Sequence, residues 1–305
     1  MAIIIDEKTR VLIQGITGKE GQSAAKGMLE YGTKVVCGVT PGKGGDDVYG
    51  IPVYDSVKEA LEKHHVDASV VYVPAFASKD AVIEAISAGI KTIIVITETI
   101  PIHDTAEMVA YARQKNAMII GPSSIGIISP GKAKIGSVGG PYSQRAYSHG
   151  NIGIISKSGG MCSETSLLFK NKMMGESTVV GIGGDVLSGS TFVDIVKLFE
   201  KDDETEIIVI YGEIGGTYEE ELADYIKKNG MKKPIVAFIA GKFAGMLQNV
   251  SLGHAGAIIE RGKGAREEKV KLLKEAGVHI AEVHHELPLI VKTILDDKRS
   301  FRTKF

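Results

Sequence analysis

A chain of 305 residues exceeds one ordinary core of roughly 100–150 residues, so two domains are expected. Its 44% hydrophobic and 24% charged content exclude a disordered or collagen-like polymer. With 36 Lys and Arg against 37 Asp and Glu, the net charge of −1 provides no global attraction to nucleic acid or an anionic membrane, so any anion must be bound locally.

The segment from Met1 to Arg10 passes from a short Ile run into charges, without the apolar stretch of a secretory leader, and no apolar run reaches the ~18 residues of a membrane span. Cys37 and Cys162 lie far apart, with no CxxC or Cys/His spacing. Neither a disulfide framework nor a metal site is expected, and the cytoplasm is the expected compartment.

In the first half, β-branched runs at Val11–Gln14, Lys34–Val39, Ser69–Val73, Thr92–Thr97 and Met118–Gly121 alternate with helical patterns at Ser78–Ala88 and Asp104–Lys115. This is the rhythm of a parallel sheet covered on both faces, with Asp104 an expected helix cap and Gly89 an expected stop. The first strand enters Gly15-Ile16-Thr17-Gly18-Lys19-Glu20-Gly21, a turn whose glycines let backbone amides approach a phosphate at a helix start. A purely structural turn is the alternative. A dinucleotide enzyme would place an acid after the second strand to take the ribose hydroxyls. Here the strand ends in Val39-Thr40-Pro41-Gly42-Lys43-Gly44-Gly45, whose lysine suits another phosphate. Ile96-Thr97-Glu98, at the end of the fourth strand, either lines the same crevice or caps the next helix.

Between Gly121 and Gly150 the periodicity lapses into a junction containing an ordered loop or hairpin. Strands at Ile152–Ser156, Thr178–Ile182, Glu206–Tyr211, Pro234–Ala240 and Val278–Ala281 then alternate with helices near Met161–Lys172, Thr191–Lys201, Tyr218–Asn229 and Ala265–Ala276. They predict a second, flavodoxin-like doubly wound domain. Its first strand runs into Lys157-Ser158-Gly159-Gly160, a second anion cradle. Ser156 stands where the first glycine of a G-x-S-x-G elbow is required, so Ser158 is not read as a hydrolase nucleophile. The charge runs Lys201–Glu206 and Arg266–Lys271 read as solvated faces.

Leu252-Gly253-His254-Ala255-Gly256-Ala257 sets an imidazole among residues with almost no side chain, leaving room for a group on the ring. A structural histidine is the alternative. Glu213, after an apolar strand in Gly212-Glu213-Ile214-Gly215-Gly216, is a candidate orienter. A carboxylate on one ring nitrogen fixes the tautomer and makes the other the nucleophile.

Thr17-Gly18-Lys19-Glu20, the block Val39–Gly45, Gly183-Gly184-Asp185, Gly212–Gly216 and Gly253-His254-Ala255-Gly256-Ala257-Ile258 together resemble, in order along nearly the whole chain, the α subunit of succinyl-CoA synthetase. These are nucleoside-diphosphate-forming acyl-CoA ligases of the tricarboxylic acid cycle. The resemblance implies a Rossmann-like CoA-binding domain over residues 1–125 and a flavodoxin-like ligase domain over 126–305, with His254 phosphorylated and Glu213 its partner. It also implies CoA contacts at Thr17, Gly18, Lys19, Glu20, Lys43, Ile96, Thr97 and Glu98, and a phosphate or substrate cradle at Ser158, Gly159 and Gly160.

The chain has no G-x-x-x-x-G-K-[ST] loop, so the resemblance implies a β subunit with an ATP-grasp domain that binds ATP or GTP with Mg2+, in an αβ or α2β2 assembly. The resemblance implies a small carboxylic acid as the second substrate. Where the family usually has Thr-Leu-Thr-Tyr-Glu, this chain has Gly160-Met161-Cys162-Ser163-Glu164, and its Gly121-Pro122-Ser123-Ser124-Ile125-Gly126 replaces Gly-Pro-Asn-x-Pro-Gly. Both changes are similar to ATP-citrate lyase and citryl-CoA synthetase, which keeps a citrate-type acid as an alternative to succinate. A noncatalytic CoA or dinucleotide sensor is the alternative from another class. With Lys43 in place of a ribose-binding acid, CoA should bind well and NAD poorly, and Lys43→Ala should weaken CoA by ~1–3 kcal/mol through loss of a charge-assisted phosphate contact. Calorimetric titration showing tighter NAD than CoA binding, or no effect of the substitution, would contradict this.

Overall fold

The computed structural model describes residues 3–243, 254–257 and 264–302. The first half forms β1 (Arg10–Gln14), α1 (Lys19–Tyr31), β2 (Lys34–Val39), β3 (Asp47–Val48), β4 (Ile51–Tyr54), α2 (Val57–Lys63), β5 (Ala68–Val71), α3 (Ala75–Ser87), β6 (Thr92–Val95), α4 (Ile102–Gln114) and β7 (Met118–Ile120). The second half forms β8 (Gly126–Ser129), β9 (Ala133–Gly136), α5 (Ser143–Ala146), β10 (His149–Ser156), α6 (Gly159–Lys170), β11 (Glu176–Gly181), α7 (Phe192–Phe199) and β12 (Ile207–Gly212). It continues with α8 (Tyr218–Asn229), β13 (Ile235–Ile239), α9 (Arg266–Glu275), β14 (His279–Ala281) and α10 (Leu287–Arg302).

Among the described residues the strands make two seven-stranded sheets. The first has the order β3-β4-β2-β1-β5-β6-β7, parallel except where β3 meets β4. Leaving out the short β3, this is the classical Rossmann order, and the sense of winding reverses between β1 and β5. The second sheet runs β14-β13-β12-β10-β11-β8-β9. Its five parallel strands follow the flavodoxin order, with the reversal between β10 and β12. The junction forms the antiparallel hairpin β8–β9, which pairs with β11 and so makes this sheet mixed rather than wholly parallel.

β5 and β12 are buried throughout, which is why they read as apolar runs without alternation, whereas β2, β4 and β14 keep partly exposed positions. One apolar cluster joins the two sheets, with Ile13, Val70 and Ile120 from the first meeting Ile127, Ile155 and Ile208 from the second. Polar clasps cross the same boundary: Ser190 Oγ donates to the Ile119 carbonyl at 2.7 Å and Thr33 Oγ1 to the Lys134 carbonyl at 2.7 Å.

Three elements of the first half escape the sequence reading. β3 and β4 are too short to show a period, and α2 has only seven residues, although Ser56 caps it by accepting from the Glu59 amide. Asp104 is not a cap. Pro101 occupies that position, and the Asp104 carboxylate, one turn inside α4, pairs with Lys79 Nζ at 2.7 Å. Among the described residues no helix is long and apolar enough to cross a membrane.

Gly21 shows how closely α1 is seated on the turn before it. A Cβ there would lie 2.2 Å from the Gly15 carbonyl oxygen, a backbone atom that cannot swing away. Gly21→Ala should therefore destabilise the protein by ~1–3 kcal/mol. A thermal melt indistinguishable from that of the unsubstituted chain would show that this packing yields freely.

Candidate active site

The first cradle is built by backbone contacts. Gly15, at φ +81°, donates its N–H to the Val39 carbonyl at 2.8 Å, and the Gly18 amide closes the turn onto Gly15 at 3.1 Å. Gly18 then caps α1 in extended conformation without a side-chain hydrogen bond, and Gly18, Lys19 and Glu20 are exposed. An uncapped helix start leaves its first N–H groups available to an anion, with the helix dipole favouring negative charge. The Thr17 amide approaches Thr40 Oγ1 at 3.5 Å, joining this turn to the exposed loop that carries Lys43. That loop is folded on itself, with the Lys43 amide on Thr40 O at 3.1 Å and the Gly44 amide on Asp55 Oδ1 at 2.8 Å.

Ile96 and Thr97 leave the sheet after β6. Thr97 Oγ1 donates to the Val73 carbonyl at 2.7 Å and Thr97 O accepts from the Ser123 amide at 3.0 Å, so this strand end is tied to both its neighbour and the interdomain junction. Glu98 follows, exposed, and its charge reaches both His254 and Asp185. The three segments therefore meet at the carboxyl ends of the first sheet, the side from which open parallel sheets bind ligands.

The second cradle follows the same logic. Ser158 caps α6 with no side-chain bond to the helix, its amide held at 3.1 Å by Ser156 Oγ. Gly159 packs so closely that a Cβ would lie 2.1 Å from Ile125 Cγ2, whereas the same atom on Gly160 would meet nothing within 4 Å. The α6 start is thus open at Gly160. Cys162 within it is buried, its thiol pushed up to about 12 by desolvation, and is not a nucleophile.

His254 and Glu213 are brought together from 41 residues apart. Nδ1 of the ring lies 2.7 Å from Glu213 Oε2, with the side chains 34% and 12% exposed respectively. The ring rests on Gly184, where a Cβ would come within 2.4 Å of its Cγ, and the Gly256 amide donates to Gly184 O at 3.1 Å. Gly253 and Ile258 of the same motif lie outside the described residues. Nε2 makes no hydrogen bond among the described residues. Hydrogen bonding to Glu213 raises the imidazole pKa above its ordinary 6.5. Burial opposes this, the negative charges of Glu213 and Glu98 add to it, and Lys157 works against it.

The sequence reading missed the groups beneath Glu213. Glu219 is completely buried. Its Oε1 accepts from the Glu213 amide at 3.1 Å, and its carboxylate pairs with Lys157 at 3.1 Å and Lys269 at 2.5 Å. Lys269 also donates to Gly216 O at 3.0 Å and to Glu220 at 2.9 Å. Burial works to raise the Glu219 pKa, but the two ammonium groups hold it below the usual carboxylate range. Arg266 and Lys269 are thus buried, and the reading of Arg266–Lys271 as a solvated face is corrected. A helix start with three glutamates in succession resembles a solvated, dipole-stabilising turn, so nothing local marks Glu219. Asp185 was quoted only as part of a motif. Its Oδ2 is buried without a hydrogen-bond partner, and burial followed by the charge of Glu98 raises its pKa.

Two nucleotide-type folds, each with an uncapped glycine turn at a helix start, and a histidine paired with a carboxylate in the second are what the geometry presents. The comparisons supply the family. The sequence matches the CoA binding domain family over residues 6–99 and the CoA-ligase family over residues 155–279. It is 46% identical to succinate–CoA ligase [ADP-forming] subunit alpha 1 of Archaeoglobus fulgidus, covering 97% of this chain and 99% of that one. It is 45% identical to the ADP-forming sulfoacetate–CoA ligase subunit SqwL of Acholeplasma sp, over 92% and 94% of the two chains. The fold matches ATP citrate lyase from Methanothrix soehngenii in complex with citrate and coenzyme A, with a TM-score of 0.90 and 24% identity. That alignment covers 97% of this chain but only 51% of the other, so this chain spans about half its length. The chain belongs to the ADP-forming acid–CoA ligase family of succinate–CoA ligase α subunits, and it is a CoA-binding acid–thiol ligase chain.

The His254–Glu213 pair sets a pH dependence. Because its folded-state pKa is raised, the pair adds stability that is fully present below the ordinary imidazole value and lost as pH rises through the folded value. NMR titration should place the His254 midpoint above 6.5 and show it falling in Glu213→Gln. Gly184→Ala, which obstructs the seat of the ring, should lower it in the same direction. A midpoint unmoved by both would dissolve the pairing.

Proposed function

We propose that this chain is the α subunit of a succinate–CoA ligase and carries the phosphoryl group on His254 between a nucleotide and the acid. The observation that carries this reading is the 2.7 Å contact between His254 Nδ1 and Glu213, which leaves Nε2 as the nucleophile among glycines that make room for a phosphoryl group. Glu213 orients the ring and stabilises the imidazolium character that develops as Nε2 bonds to phosphorus. The Ser158 hydroxyl and the amides of Gly159 and Gly160 at the α6 start receive the phosphoryl oxygens, where fixed dipoles require no reorganisation.

His254 next passes the group to the acid carboxylate. The resulting acyl phosphate is attacked by the CoA thiol, and orthophosphate leaves carrying the thiol proton. Thr17, Gly18, Lys19 and Glu20 hold the CoA phosphates at the start of α1, with Lys43 as a charged contact. Ile96, Thr97 and Glu98 line the path towards His254. The domain boundary is placed between residues 125 and 126.

Both cradles in this chain are assigned to other groups, so ATP or GTP with Mg2+ is bound by a β subunit of ATP-grasp type in an αβ or α2β2 assembly. The relatives named for succinate, at 43–48% identity, favour succinate over a citrate-type acid. The likeness to ATP citrate lyase, at 24% identity, speaks for the fold alone.

Incubating the complete complex with γ-labelled nucleotide should leave an acid-labile, base-stable phosphate on this chain, which succinate plus CoA discharges faster than citrate or sulfoacetate plus CoA. His254→Ala should abolish labelling and turnover, and Glu213→Gln should slow labelling by ~10–100-fold while preserving the fold. Full activity of the His254→Ala complex would remove the phosphohistidine.

A further inference from the structure

We propose that Glu219 is a positioning residue for Glu213, acting through the Glu213 backbone amide rather than through any contact with substrate. The proposal rests on the phosphohistidine reading and extends it below the reacting groups. Glu213 follows β12 at the start of a turn containing Gly215 and Gly216, both at positive φ, which by themselves offer the backbone little restraint. The Glu213 N–H is held by Glu219 Oε1 at 3.1 Å, and the Gly215 amide by Gly264 O at 2.8 Å.

Glu219 is in turn fixed by two buried ammonium groups from different parts of the chain. Lys157 immediately precedes the Ser158 cradle and also approaches Gly215 O at 3.5 Å. Lys269 comes from α9 and also takes Gly216 O and Glu220. Two lysines face two glutamates, so the cluster carries no net charge and its carboxylate cannot drift without uncovering a buried ammonium. One carboxylate thereby fixes the turn that presents Glu213 to His254 and ties it to the residue preceding the phosphoryl cradle. Of the other charges that act on the ring, Glu98 and Asp185 make no ion pair with this cluster among the described residues, whereas Lys157 belongs to it through its pair with Glu219. A small error in Glu213 would be felt at Nε2, because phosphoryl transfer needs in-line approach.

Removing Glu219 alone would strand two buried cations and unfold the region, so the test uses a matched pair in the complete complex. Glu219→Gln/Lys269→Met and Glu219→Leu/Lys269→Met delete the same two charges and keep the Lys157 charge, which in the second retains Gly215 O as its acceptor. Only the first retains an oxygen to accept the Glu213 N–H. With the unsubstituted complex labelled at His254 as control, the Gln/Met complex should phosphorylate within about threefold of that rate. The Leu/Met complex should be slower by ~10–100-fold at unchanged KM for the nucleotide, with its pH midpoint for phosphorylation shifted down. Equal rates and midpoints in the two folded variants would overturn the proposal. If the Leu/Met complex does not fold, the Gln/Met complex decides alone: folded and fast supports the acceptor role, folded and slow by tenfold or more overturns it. Absence of label in the control complex would instead refute the phosphohistidine itself.

Discussion

The contact between Glu213 and His254 is the constraint on which the rest of the second half depends. A carboxylate at 2.7 Å from Nδ1 favours a proton on that nitrogen and leaves Nε2 without a hydrogen-bond partner among the described residues. Neither partner is placed by its own element. Glu213 follows β12, beside the point where the sheet reverses its winding, and His254 reaches it by lying on Gly184, beyond the end of β11. Each glycine at the contact is where a side chain would collide, so the absence of side chains is what makes the approach of three backbone segments feasible.

The two halves repeat one electrostatic device. α1 and α6 each begin after a strand without a side-chain cap, in contrast with α2 and α7, where Ser56 and Thr191 satisfy the first amides. A capped helix has already used its orphan donors, whereas an uncapped one offers them to an anion. α3, α4, α8 and α9 also begin without a side-chain cap, so this feature alone does not single out α1 and α6. The shared apolar cluster between the sheets holds the two starts in one body.

The alternation of strands and helices was legible because parallel strands buried on both faces must be apolar throughout, and because glycine turns at their carboxyl ends stand out against that background. The short hairpin β3–β4 and α2 were not, since two to seven residues carry no usable period. Asp104 illustrates a different failure. Its residue type suits a helix cap, but an ion pair with Lys79 across two helices took the carboxylate instead.

By itself the sequence determined both doubly wound domains, the glycine turns and His254 as a candidate, because these show in local spacing, whereas Glu213, 41 residues away, was a candidate partner that the family resemblance singled out. Only the tertiary structure decided what lies beneath them. Glu219 and Lys269 stand in charged runs that read as solvent-facing and Lys157 stands in a serine- and glycine-rich turn, yet Lys157 is nearly and the other two are completely buried. Burial of a charge depends on partners distant in sequence, here 62 residues apart for Lys157 and Glu219 and 50 for Lys269 and Glu219, and no local pattern records that pairing.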